Sequence, residues 1–83
     1  MNNKPTDIYS TKDLAESAFL YASCCKFMHS ENNNGVVWFS FSDKNKCQQL
    51  ADAFWRKEAM VNAREFYNSL RTLKDLIFNR ARY

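Results

Sequence analysis

The chain has 83 residues, 46% of them hydrophobic and 16% aromatic, with one Gly, one Pro and a net charge of +3. This composition fits one domain with enough apolar material for a core, and it excludes a linker, a disordered tail or a second core. No stretch approaches ~18 consecutive apolar residues, so no membrane-spanning helix is expected. The polar start MNNKPTDIY lacks a leader pattern, and three cysteines, two of them adjacent, suit reduced thiols; a cytoplasmic location is expected.

Residues 1–8 are expected to form a flexible tail, 9–79 a single α+β domain, and 80–83 a frayed end. The first helix is STKDLAESAFLYASCC, with Ser10 or Thr11 as its cap and Asp13 at its positive end. Leu14, Ala15, Ala18, Phe19 and Ala22 share one face at helical spacing. CCKFMHS reads as a strand, ENNNG as a turn of about five residues with a left-handed Gly35, and VVWFSFS as the partner strand. Ser42 or Asp43 caps the second helix, whose inner stripe is Cys47, Leu50, Ala51 and Phe54 and which runs on to Glu58 before a short loop, EAM. VNAREF is a capping-box arrangement: Asn62 as N-cap, Glu65 three residues on, and Val61 and Phe66 placed as a hydrophobic staple. The third helix then turns Ala63, Phe66, Leu70, Leu73 and Ile77 toward the core. The whole is a small αββαα domain with helices on one face of a hairpin.

Trp38 is the odd residue in this pattern. Pairing Phe27 with Phe39 and Met28 with Trp38 places Cys25, Phe27, His29, Val37, Phe39 and Phe41 toward the helices. Lys26, Met28, Val36 and Trp38 then share the outer face with Ser40. A lone two-stranded sheet is marginal in water and has two open edges, and pairing two hairpins in a homodimer relieves both problems. A register slip of one residue turns Trp38 inward instead.

Little in the chain supports catalysis. His29 is the single histidine and has no recognisable nucleophile partner, and one glycine excludes both Gly-rich phosphate loops. Cys24, Cys25, His29 and Cys47 match zinc in number and type but not in spacing; small core thiols are the plainer reading, and no metal or cofactor is expected.

The third helix carries the most suggestive pattern. Arg64, Tyr67, Arg71, Lys74 and Phe78 recur in steps of three or four, about 100° around the helix from the core stripe. Cations interleaved with aromatics can hold phosphates and stack on planar groups, although flanking aromatics with snorkelling cations give the same pattern. Residues 1–55 carry five Lys/Arg against six Asp/Glu, and residues 56–83 seven against three, so the positive charge lies in this last third. Trp55, Arg56 and Lys57 end the second helix in a similar mixture that also suits its dipole. A helix-turn-helix reading lacks a turn glycine, and a ribbon-helix-helix reading is opposed by the preceding helix and hairpin.

YSTKDLAESAFL, VVWFSFSD, AFWRKE and VNAREFYNSLRTLKDLIF together resemble a family of small prokaryotic and phage domains of unknown function, from Tyr9 to about Phe78. The resemblance implies a compact α+β unit from bacteria, their phages or mobile elements, and supplies no activity; Cys24 and Cys25 stand where that family tends to have a small residue. Two functions are therefore carried forward. The first is a nucleic-acid or nucleoprotein-binding accessory protein using Arg64, Tyr67, Arg71, Lys74 and Phe78. The second is a homodimeric protein-interaction module, using Lys26, Met28, Val36 and Trp38, that modulates a host complex.

Overall fold

The structure is a computed structural model that describes residues 7–82, with side chains to residue 78. Its elements run β1 (Ile8–Thr11), α1 (Leu14–Ala22), β2 (Phe27–Asn33), β3 (Val36–Ser42), α2 (Lys44–Trp55) and α3 (Ala63–Arg82). The α+β class and the helix order are as the sequence implies. The strand β1 is an addition. Ser10 and Thr11 belong to it and do not cap α1. That cap is Asp13, whose Oδ1 accepts from Glu16 N at 2.8 Å, while Thr11 Oγ1 accepts from Asp13 N at 3.2 Å. The termini expected to be a tail and a frayed end fall largely outside the described residues; β1 begins at Ile8, and the helical backbone of α3 continues to Arg82.

The sheet is antiparallel in the order β1-β3-β2, so β3 is flanked on both sides and the hairpin is not alone. Its register also differs from expectation. Phe27 pairs with Phe41, Ser30 with Phe39 and Glu31 with Trp38, with a bulge between Phe27 and His29. The turn consists of Asn34 and Gly35 alone, at φ 55° and 87°, the positive pair that a two-residue type I′ hairpin needs. Asn-Gly matches the right-handed twist of the strands, so both strands run to the tip and the five-residue loop is not formed. The bulge at Met28 switches the facing of β2. Ser30, opposite Phe39, is buried, and His29, expected to face the helices, is exposed.

Phe39 and Phe41 of the central strand are buried with Ala18, Phe19, Leu20, Cys25, Cys47 and Leu73 in one core. Fully burying a Phe or Leu contributes about 1.5–3 kcal/mol, so this handful of side chains holds most of the fold. Helix α1 lies in the middle: Glu16 through Leu20, more than a full turn, are all buried, with α3 packed along one side and α2 against another. Ala15, by contrast, is exposed, and Leu20 takes its place in the core.

One buried polar group joins three of these elements. Glu16 Oε2 accepts from Tyr9 Oη of β1 at 2.5 Å, and Glu16 Oε1 accepts from Trp55 Nε1 at the end of α2 at 2.7 Å. Glu16 stands three residues after the Asp13 cap, where a capping box would turn it back to the cap; it turns inward instead, and Thr11 takes the cap's N–H. A buried carboxylate without a cation is supported here by two donors and by the positive end of α1.

Helices α1 and α2 both end in Schellman motifs built without glycine. Cys24 (φ 68°) and Lys57 (φ 63°) occupy the left-handed position. Cys24 N donates to Tyr21 O and Cys25 N to Leu20 O; Lys57 N donates to Phe54 O and Glu58 N to Ala53 O. Helix α2 therefore stops at Trp55, short of Glu58, and the connection to α3 is longer than the expected three residues.

Two stability measurements follow from this geometry. Glu16→Ala is expected to lower stability by about 1–3 kcal/mol in urea unfolding, because it leaves the half-buried Tyr9 hydroxyl and the Trp55 indole N–H without their acceptor; Glu16→Gln, which can accept from Trp55 and donate to Tyr9, costs less. Lys57→Gly relieves the left-handed backbone and raises stability by about 0.5–1 kcal/mol, a few degrees in melting temperature.

Candidate nucleic-acid interface on the third helix

Asn62 starts α3 as expected, its Oδ1 accepting from Arg64 N at 2.9 Å and Glu65 N at 3.0 Å, and its carbonyl from Phe66 N at 2.9 Å. The face turned to the core comprises Phe66, Ser69, Leu70, Leu73, Leu76 and Ile77. Ser69 and Leu76 were not in the expected stripe, and Ala63, which was, is exposed. With Ser69 and Leu76 included, the centre of the core face lies about 140° around the helix from the stripe Arg64, Tyr67, Arg71, Lys74 and Phe78.

All five stripe residues are exposed. Tyr67 is 57% and Phe78 62% accessible, unusually open for large rings. The Arg71 guanidinium lies 5.9 Å from the centre of the Tyr67 ring, a cation–π contact that holds its planar donors against the helix. Among the described residues the one ion pair is Arg56–Glu58, at 3.0 Å and well exposed, so the stripe cations keep their charge for an outside partner. Glu65, Asn68, Thr72 and Asp75 occupy the other solvated face.

The outer sheet surface is a less coherent candidate. Trp38 is half-buried with Lys12 Nζ 5.9 Å over its ring, and its cross-strand neighbour is Glu31 rather than Met28. Val36, 42% exposed, sits opposite Asn33 near the tip, while Met28, 45% exposed, lies in the bulge toward the other end, next to the exposed Lys26. Between them runs a polar row in which Ser10 and Ser40 share a hydrogen bond of 2.9 Å and Ser40 pairs with His29. The register thus distributes Lys26, Met28, Val36 and Trp38 along the sheet instead of gathering them.

The four possible metal ligands are also separated. Cys24 is exposed at its left-handed corner, His29 is exposed on the sheet, and Cys25 and Cys47 are in the core. Among the described residues no group of three or more His, Cys, Asp or Glu could hold a metal ion. Cys47 Sγ donates to Ser42 O at 3.4 Å. Burial, contact with the Cys25 thiol and the nearby Asp43 push its own thiol up from 9.0 to about 12. Burial and the bond to Glu16 likewise hold the Tyr9 hydroxyl above its ordinary range.

Residues 6–79 match the family described as "Domain of unknown function (DUF5659)". The chain belongs to this family. Nothing among the curated proteins or the solved structures matches it. The matched span takes in every strand, both shorter helices and α3 through Phe78, so the basic and aromatic stripe is part of the domain itself. The residues that sequence reasoning missed are Glu16 and Lys12. The signal for Glu16 was its place three residues after Asp13; for Lys12, whose position over Trp38 depends on β1, there was none.

The thiol environment gives a pH test. The unfolded chain releases the Cys47 proton near 9.0, before the folded state does, so this contribution to stability is complete below pH 9 and is lost as pH rises toward about 12. Tyr9 acts in the same sense, since its folded form also holds the proton longer. Urea midpoints measured across the alkaline range should fall, and Cys47→Ala should flatten the part of the fall that begins near 9.

Proposed function

We propose that this protein is a non-enzymatic binding module, working in the cytoplasm, that holds nucleic acid or a nucleoprotein through the stripe on α3. The observation that carries the reading is the free, outward row of Arg64, Tyr67, Arg71, Lys74 and Phe78, with Arg71 already laid against Tyr67. Its cations would contact backbone phosphates, and release of counterions would drive association. The pre-packed guanidinium loses little freedom on binding, which favours it over a loose lysine as the central contact.

The homodimer reading asks the outer sheet face to self-associate. There Trp38 is flanked by Glu31 and covered by Lys12, and a polar row separates the exposed Met28 from the exposed Val36, so the apolar area is interrupted. The α3 surface is the better supported of the two.

Three phosphate contacts imply weak binding with a moderate salt slope, about −2 to −3 in log K against log[salt]. Fluorescence anisotropy with labelled mixed-sequence oligonucleotides at low and moderate salt measures it. Arg71→Glu should weaken binding about tenfold or more, whereas Thr72→Glu on the other solvated face should change it little. Unaltered affinity in the Arg71→Glu, Lys74→Glu double variant would overturn the proposal.

A further inference from the structure

We infer that the nucleic acid this helix takes is single-stranded, with Tyr67 and Phe78 stacking on two of its bases and Arg71 and Lys74 holding the phosphates between them. The inference rests on the reading above and adds the form of the ligand. Two exposed rings stand on one helix face, and both belong to the same row as the cations. The Tyr67 face turned away from Arg71 and the Phe78 ring can be covered by bases only where bases are unstacked, because in a duplex each base already lies between its neighbours.

Spacing supports the same conclusion. Tyr67 and Phe78 are separated by about 16 Å along the helix axis. That is about five nucleotides of a stacked strand, at about 3.4 Å each, and fewer of an extended one. Arg71 and Lys74 fall between the rings and Arg64 lies just outside them. A duplex presents a charge about every 1.7 Å and rewards a dense cation row, whereas the three stripe cations among the described residues, over about 15 Å, suit the sparser charge of a single strand.

The test compares a labelled 12-nucleotide mixed-sequence single strand with its duplex, by anisotropy, for the full chain and three variants. The single strand should bind at least about fivefold tighter than the duplex. Tyr67→Ala and Phe78→Ala should each cost the single strand about fivefold or more, and Tyr67→Phe, which keeps the ring face, should restore most of that loss. Both rings are exposed, so melting curves should show these variants folded. A duplex bound as tightly as the single strand, or alanine variants with undiminished single-strand affinity, would overturn the inference while leaving nucleic-acid binding intact. Failure of both probes to bind would overturn the broader reading as well and leave an acidic protein segment as the occupant of the stripe.

Discussion

The carboxylate of Glu16 is the joint on which the arrangement of this domain depends. It is buried in the first turn of α1, and its two oxygens are occupied by Tyr9 from β1 and Trp55 from the end of α2. Because a buried carboxylate is costly unless its lone pairs are filled, the two donors must arrive together. That requirement ties the short N-terminal strand and the end of the second helix to the first turn of α1. Apolar packing alone is non-directional; this polar joint adds direction to it.

The position of α1 then determines what α3 can do. A helix buried around more than one turn needs partners on several sides, and α3 supplies one of them with a single face. The other described side chains of the helix, from Ala63 to Phe78, remain in water. A cationic and aromatic row on that free side is not consumed by the fold, so its composition is available for recognition. Packing of Arg71 on Tyr67 pre-orders part of that row without a partner.

The chain reaches tight corners with one glycine. Cys24, Asn34, Asp43 and Lys57 all take positive φ, and three of them sit at helix ends where backbone hydrogen bonds over-determine the corner. Asn tolerates this conformation well, whereas Cys and Lys do so at a cost in stability that the Schellman bonds and the adjacent core residues offset. The exposed thiol of Cys24 is thus explained by its corner, and the buried Cys25 by its contact with the end of α1.

Much of this was legible in the sequence. Helical spacing identified Phe19, Cys47, Ala51, Phe66 and Leu73 as inward residues, and the Asn62 cap located the start of α3, because both are local consequences of a 3.6-residue period and unsatisfied N–H groups. The outward stripe followed from the same period. Asn34-Gly35 also encodes the hairpin register, although ENNNG as a whole has the composition of a longer turn. Pairing β1 onto β3 was not local. It depends on contacts more than twenty-five residues apart, as do the burial of Glu16, the placing of Lys12 over Trp38 and the addition of Ser69 and Leu76 to the core face of α3. The sequence by itself determined the three helices and the β2–β3 hairpin, with most of the apolar faces of the helices, since neighbours along the chain decide these. Only the tertiary structure decided which polar groups are buried and which surface is left free, because each depends on what distant segment arrives to cover it.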